Sequence, residues 1–179
     1  MSTPVDAALD RLVRDIADFP KAGVVFKDIS PLLADPEGFA TTVTALADLG
    51  RRLTPDGVDS VVGIEARGFI LAAPVALALG AGFVPVRKAG KLPAATHEVS
   101  YSLEYGEATL QIHTDGLREG SRVLIVDDVL ATGGTVAATV ELVQRCAASV
   151  SGVAVLLELS FLGGRSRLGG VNGDALRVV

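Results

Sequence analysis

The stretch "RVLIVDDVLATGGTVAATVEL", residues 122–142, indicates the fold class of this chain. It begins with a run of apolar residues that favours a buried strand, and it ends in apolar residues at helical spacing. Two adjacent acids and a glycine-rich turn lie between them. A buried strand that leads through a short turn into a helix is typical of a parallel sheet covered by helices. Ligands of such sheets bind at the carboxyl ends of the strands.

The turn "TGGT", residues 132–135, has the composition of a phosphate-binding loop. The first turn of the helix would offer unpaired N–H groups and a partial positive charge. Gly133 and Gly134 would let a ligand approach the backbone closely, and Thr132 and Thr135 would add hydroxyl donors. The pattern is not a Walker A loop, because no lysine follows the glycines, and it is not a G-x-G-x-x-G motif. A plain strand-to-helix turn capped by threonine is the alternative.

Two acids, Asp127 and Asp128, precede this turn by a few residues. We expect them to face a group attached to the phosphate rather than the phosphate itself. Carboxylates suit ring hydroxyls or Mg²⁺. A 5-phosphorylated ribose meets both conditions, with its phosphate on the turn and its hydroxyls on the acids. Taken singly, each acid is also compatible with a surface residue at the end of a strand.

The rest of the chain continues the alternation of strands and helices, which predicts a central parallel sheet flanked by helices. Residues 98–113 differ, because apolar and polar residues alternate there around a glycine, a pattern typical of an antiparallel hairpin inserted on the sheet. Alternation near the C-terminus predicts a short edge strand. We predict helices at about 4–16, 35–52, 68–79 and 134–148, and strands at 60–64, 82–88, 122–128 and 152–159.

Bulk composition narrows the class of protein. A length of 179 residues suits one domain, and a net charge of −5 argues against general nucleic-acid binding. Cys146 is the one cysteine, so no disulfide framework forms within the chain. We find neither a secretory signal pattern at the start nor an apolar run long enough for a membrane span. These features lead us to expect a cytoplasmic protein.

The segment "VLIVDDVLATGGT" resembles the phosphoribosyl diphosphate (PRPP) signature of the type I phosphoribosyltransferases. The resemblance implies their Rossmann-like α/β fold, with an inserted flap and a small N-terminal hood. Ala131 stands where the hypoxanthine-guanine members carry an Asp that handles the base. Five further segments resemble adenine phosphoribosyltransferases, in the same order along the chain: "FPKAGVVFKDISPLL", "GIEARGF", "VRKAGKLP", "YSLEYG" and "LLEL".

The resemblance assigns the PRPP-binding residues. It implies a cis peptide near Glu65-Ala66 and places the ribose hydroxyls, on the metal side, against Asp127 and Asp128. A basic cluster in an acidic chain also suits a polyphosphate, although a solvated basic loop is the alternative. The implied 5-phosphate ligands are Ala131, Thr132, Gly133, Gly134 and Thr135, and the implied diphosphate ligands are Arg67, Arg87, Lys88 and Lys91.

The resemblance also assigns the base-binding and catalytic residues. Phe26 would stack on one face of adenine and Leu159 would pack on the other, with core packing as the alternative for both. Backbone groups near Val25 would read the edge of the base. Lys27, a further implied adenine-binding residue, stands where the family often has Arg, and lysine lacks the planar guanidinium fork. Glu104 matches the acid-base residue of the flap and would take the N7 proton of adenine as N9 attacks the ribose.

The prediction is therefore an enzyme of purine salvage that converts adenine and PRPP into AMP and pyrophosphate. We expect one domain over residues 1–179, with the hood and base-binding segment at 1–34 and the flexible flap at 95–113. Mg²⁺ would bind mainly through PRPP, with Asp127 and Asp128 as the best protein candidates, and the family suggests a homodimer. The alternatives are another purine phosphoribosyltransferase, for xanthine or for hypoxanthine and guanine, a non-catalytic PRPP-binding regulator, and a phosphorylation-receiver domain. The presence of Glu104, Arg67 and Lys88 favours an enzyme over a regulator.

Overall fold

A computed structural model describes residues 3–102 and 107–179 of the chain. The contacts group the chain into two compact units, Met1–Ala45 and Leu46–Val179, and we describe each unit by itself. The expected single domain, with its hood and flap boundaries, stays a prediction. Within the described residues, the helices are all too short or too polar to cross a membrane.

The N-terminal unit pairs a short two-stranded sheet with helices. It contains α1 (Pro4–Leu12), β1 (Arg14–Ala17), β2 (Val25–Asp28), α2 (Ser30–Ala34) and the first half of α3 (Pro36–Leu53). Thr3 and Asp6 form a capping box at the start of α1. The prediction that this helix continues to residue 16 is wrong, because the backbone becomes extended at Val13 and Ile16 pairs with Phe26 across β1 and β2.

A seven-stranded sheet forms the second unit, in the order β5-β6-β4-β3-β7-β8-β9. Strands β4, β3, β7, β8 and β9 run parallel, while the hairpin of β5 and β6 joins the β4 edge in antiparallel orientation. The predicted α/β class, inserted hairpin and C-terminal edge strand are confirmed. The strands are β3 (Ser60–Ile64), β4 (Gly82–Lys88), β5 (Thr96–Ser102), β6 (Glu107–His113), β7 (Arg122–Leu130), β8 (Ser149–Glu158) and β9 (Gly173–Val178).

Two helices pack on the sheet and begin at the carboxyl ends of its strands. Helix α4 (Arg67–Leu79) follows β3 and packs on β3 and β7, and α5 (Gly134–Arg145) follows β7 and packs on β5. The centre of β7 is fully buried, as expected for a strand covered on both faces. Two short 3₁₀ turns, Ser160–Leu162 and Gly164–Arg167, connect β8 to β9.

The structure differs from the sequence prediction at the end of β7. Strand β7 continues through the acid pair to Leu130, so Asp127 and Asp128 lie within the strand rather than at its end. The predicted strand 82–88 is confirmed, and Arg87 and Lys88 are the last residues of β4. All four side chains therefore belong to strands of the sheet.

Candidate active site

The phosphate loop, residues 131–135, connects β7 to α5 and packs backbone against backbone. Gly133 has a φ of 81°, which favours glycine. A Cβ on Gly133 would lie 2.4 Å from the carbonyl oxygen of Gly164, and a Cβ on Gly164 would lie 2.2 Å from the carbonyl oxygen of Ala131. A small cavity of about 50 Å³ is lined by residues of this loop and the adjoining ends of β7 and α5. The loop is therefore held against Gly164 by backbone contacts that leave no room for a side chain at Gly133 or Gly164.

The two predicted ribose-binding acids contact the first two residues of α4. Arg67 Nη2 lies 2.6 Å from Oδ2 of Asp128. A Cβ on Gly68 would lie 2.6 Å from Oδ1 of Asp127, and that same oxygen accepts a hydrogen bond of 2.9 Å from the backbone N–H of Asp128. Both acids are buried. The start of α4 therefore holds the pair in place through one side chain and one glycine.

Burial raises the pKa of Asp127 well above its ordinary value, and the charge of Asp128 raises it further. The hydrogen bond from the Asp128 backbone and the nearby Arg67 guanidinium oppose this shift of the pKa. Asp128 is thus paired with the Arg67 guanidinium, while burial disfavours the charged form of Asp127. Hydrogen bonds donated by the hydroxyls of a ligand would stabilise the buried oxygens of both acids.

Glu65 organises the predicted diphosphate-binding residues. Its Oε2 accepts hydrogen bonds from Arg87 Nε at 3.3 Å and from the backbone N–H of Lys88 at 3.0 Å. Arg87 also donates to the carbonyl oxygen of Lys91 at 3.0 Å. The peptide bond between Glu65 and Ala66 is cis, as the family resemblance implied. Arg87 therefore shapes the segment, whereas Lys88 and Lys91 are exposed.

The predicted base-binding residues Val25, Phe26 and Lys27 lie on β2 of the N-terminal unit. The Phe26 ring meets Phe19 edge to face, with a centroid distance of 5.1 Å. Lys27 Nζ contacts both carboxylate oxygens of Asp15, at 2.7 and 2.8 Å. Val25 is half exposed. All of these contacts lie within the N-terminal unit. The roles of Val25, Phe26 and Lys27 in binding the base stay predictions.

The remaining predicted residues belong to the second unit. Leu159 follows β8 directly and is half-buried. The proposed acid-base residue Glu104 lies outside the described residues, between β5 and β6. Within the described parts of the chain, no three His, Cys, Asp or Glu side chains form a metal-binding group. Asp127 and Asp128 precede the phosphate loop on β7.

Sequence analysis missed three residues that contact the phosphate loop or support the diphosphate segment. Tyr101 belongs to the quoted segment "YSLEYG", and its hydroxyl lies 2.9 Å from Oγ1 of Thr135. Glu65 stands in "GIEARGF", next to the arginine that drew attention. Gly164 lies about thirty residues beyond the loop it contacts, so only a comparison of related sequences could have signalled it.

Comparisons with known proteins show the family to which the chain belongs. A model of the phosphoribosyl transferase domain matches residues 33–170. An adenine phosphoribosyltransferase from Nocardioides sp. is 63% identical over 161 residues, which cover 89% of this chain and 87% of that protein.

Solved structures give the same result for the fold. The adenine phosphoribosyltransferase of Thermoanaerobacter pseudethanolicus superposes with a TM-score of 0.92 at 45% identity, over 97% of this chain and 99% of that one. The Saccharomyces cerevisiae enzyme, solved with adenine and an imino-altritol bisphosphate, has a TM-score of 0.92 at 38% identity and covers 96% of this chain and 98% of its own. By sequence, matched domain and fold, the chain therefore belongs to the phosphoribosyltransferase family, in the group of the adenine phosphoribosyltransferases.

Proposed function

We propose that this protein transfers the 5-phosphoribosyl group of PRPP to N9 of adenine, which yields AMP and pyrophosphate. One observation carries the proposal: in a chain of the adenine group, an acid pair held by the start of α4 directly precedes a glycine loop at the start of α5. Acids and loop would bind two ends of one ligand. The reaction supplies AMP by purine salvage.

The phosphate loop would hold the 5-phosphate through backbone N–H groups and the hydroxyls of Thr132 and Thr135. Asp127 and Asp128 would accept hydrogen bonds from the ribose hydroxyls, and the contact of Asp128 with Arg67 would fix its orientation. Arg67, Lys88 and Lys91 would hold the diphosphate as it leaves the anomeric carbon. Arg87 would act mainly by keeping this basic segment in shape, because its guanidinium contacts Glu65 and Lys91.

The base must lose a proton as N9 forms its bond to the ribose. By family resemblance, Glu104 would accept that proton from N7, which leaves the N9 lone pair free to attack. Phe26 and Leu159 would hold the two faces of adenine, and backbone groups near Val25 would read its edge. We expect an oxocarbenium-like transition state, because the reaction takes place at an anomeric carbon.

Mg²⁺ is the cofactor that we propose. Asp128 already contacts Arg67, and Asp127 is buried with a raised pKa, so neither is a strong ligand in this form. We therefore expect the diphosphate and water to supply most of the ligands, with the two acids on the metal side of the ribose. When bound, Mg²⁺ would share the negative charge of the leaving diphosphate.

We also propose a cytoplasmic homodimer. Ile70 and Leu77 lie on one side of α4 and are 45% and 82% exposed. Phe83 is 37% exposed and its ring lies 5.8 Å from that of Phe69 on the same helix. Exposed apolar residues grouped in this way suit an interface between subunits. Sedimentation of wild type and Leu77→Glu tests it: we expect a dimer that the charge weakens, and a monomeric wild type would refute the proposal.

A base-competition assay tests the proposed reaction. Purified protein, Mg²⁺ and PRPP are incubated with adenine, hypoxanthine, guanine and xanthine together, and the nucleotides are separated. We expect AMP to dominate. Consumption of xanthine, hypoxanthine or guanine in preference to adenine would assign a different purine, and PRPP binding without any nucleotide product would indicate a regulator.

A further inference from the structure

Tyr101 connects the β5 strand of the hairpin to the phosphate loop. Its hydroxyl oxygen lies 2.9 Å from Oγ1 of Thr135, and either group can donate the hydrogen bond. The Tyr101 ring lies against Gly134, the residue before Thr135. A Cβ on Gly134 would stand 3.0 Å from Cδ2 and 3.3 Å from Cε2 of Tyr101. The ring therefore takes the space that a side chain at position 134 would need, and the hydroxyl reaches the neighbouring threonine.

The direction of this hydrogen bond determines what Thr135 can offer a ligand. A threonine hydroxyl has one proton and can accept as well as donate. When Tyr101 donates to Thr135, the threonine proton is free to point at an acceptor near the start of α5. When Thr135 donates to Tyr101, that proton is used. A phosphate monoester bound at the loop in its doubly ionised form would be an acceptor with no proton to give, so it would favour the first arrangement.

We propose that Tyr101 is a positioning residue of the 5-phosphate site, which acts by donating its hydroxyl proton to Thr135 and so directing the Thr135 proton at the phosphate. The proposal rests on the proposed function, since it requires a ribose 5-phosphate group at residues 131–135. It gives Tyr101 no contact with the substrate. Its ring would support the loop, and its hydroxyl would set the hydrogen-bond polarity of the site.

Tyr101→Phe tests the hydroxyl, because the ring against Gly134 is kept. We expect the Kd for ribose 5-phosphate and the KM for PRPP to rise about three- to tenfold, the range of a lost hydrogen bond. The KM for adenine should stay within about twofold, since the residues that we propose for the base lie outside the loop. Titration calorimetry with ribose 5-phosphate alone gives the first value, at a temperature where circular dichroism shows every variant folded.

Ser100→Ala is the matched control. Ser100 precedes Tyr101 on β5, and its hydroxyl lies 2.8 Å from Oγ1 of Thr109 on β6, a hydroxyl pair of the same kind away from the phosphate loop. Removing it should leave the affinity for ribose 5-phosphate unchanged. An equal loss in Ser100→Ala and Tyr101→Phe would show that the hairpin, and not the Tyr101 hydroxyl, is responsible, and would overturn the proposal.

A double-mutant cycle with Thr135→Val separates positioning from simple structural support. If Tyr101 acts through the Thr135 hydroxyl, Tyr101→Phe should cause less than about a twofold further loss once that hydroxyl is gone. Fully multiplicative losses, or normal binding by Tyr101→Phe alone, would overturn the inference. Failure of the wild-type protein to bind either ribose 5-phosphate or PRPP would instead refute the proposed function.

Discussion

The phosphate loop and the N-terminal hairpin of β1 and β2 are both predicted to bind parts of the substrates, but different forces hold them. The loop is fixed by backbone atoms of Gly133 and Gly164 that approach too closely for any side chain. The hairpin is held by the backbone pairing of β1 with β2 and by the ion pairs of Lys27 with Asp15 and Arg14 with Asp28, each of which has one exposed partner. Where two backbones touch, no side chain can be added, whereas side chains that extend from a ladder toward solvent should tolerate many substitutions.

Gly164→Ala should have the largest effect. Its Cβ would lie 2.2 Å from the Ala131 carbonyl oxygen and 2.9 Å from the Gly133 nitrogen, so the phosphate loop must move. A displacement of about 1 Å at an active site costs about a hundredfold in rate, and we expect a loss of that size in kcat/KM for PRPP. Steady-state kinetics with PRPP as the varied substrate measures it.

Gly163→Ala is the control for this change. Gly163 has a φ of 66°, so alanine is strained there, but open space surrounds its Cβ position. We expect a stability loss of about 1 kcal/mol and near-normal affinity for PRPP. Equal kinetic losses in both variants would mean that backbone strain, rather than contact with the loop, explains the result, and the contrast with the hairpin would lose its basis.

The second largest effect should come from Asp127→Asn, with activity and stability changing in opposite directions. Asparagine replaces one acceptor oxygen by an NH₂ group, so a hydrogen bond from the ribose is lost and kcat/KM for PRPP should fall about tenfold or more. The raised pKa means that the native state binds this proton more tightly than the unfolded chain. The free energy of unfolding of the wild type therefore falls as pH rises above the ordinary carboxyl range.

Asparagine is neutral at every pH and should escape this penalty. We expect Asp127→Asn to melt at a higher temperature than wild type at pH 8, with the difference shrinking as pH falls toward the ordinary carboxyl pKa of 3.8. Calorimetric scans across this range measure it. A melting difference that does not change with pH would contradict our account of the buried acid pair.

Local patterns in the sequence predicted elements whose side chains pack in a regular way. Strand β3 at 60–64 and the apolar runs of β7 and β8 follow directly from buried apolar residues. The predicted end of β7 at residue 128 was wrong, because two adjacent acids normally mark the end of a strand. Here Arg67 and the start of α4 let both remain inside the strand.

Long-range contacts could not be read from the sequence. Ile16 continued the helical spacing of α1, yet it pairs with Phe26 ten residues later. The contact of Gly164 with the phosphate loop and that of Tyr101 with Thr135 depend on the strand order of the sheet. The phosphate loop itself was predictable because its backbone chemistry requires glycines beside a helix start. Gly164 and Tyr101 support the loop, but the sequence next to each of them contains no motif that indicates this contact.

Phe26→Leu should have a smaller effect, confined to the base. Leucine keeps apolar volume beside Phe19 but removes the π face that would stack on adenine. Stacking of a base on an aromatic ring contributes about 1–3 kcal/mol, so we expect the KM for adenine to rise about tenfold while the KM for PRPP is unchanged. If Phe26 only packs within its unit, the melting temperature will fall and the KM for adenine will not change.

Lys27→Met should have the smallest effect, which makes it the sharpest test of the contrast between the two regions. The Lys27 side chain is 15% exposed and that of its partner Asp15 is 59% exposed. Because water reaches the carboxylate, we expect the pair to contribute about 0.2–1 kcal/mol, as surface pairs do. We expect Lys27→Met to melt slightly below wild type, and we expect 1 M salt to remove this difference by screening the ion pair of the wild type. The KM for adenine should change by less than about threefold. Lys27→Arg, which restores the family residue, should keep the ion pair. A loss of adenine affinity above tenfold in Lys27→Met, rescued by Lys27→Arg, would show that this cation serves the substrate, and that the hairpin depends on side-chain chemistry as strictly as the loop depends on its backbone.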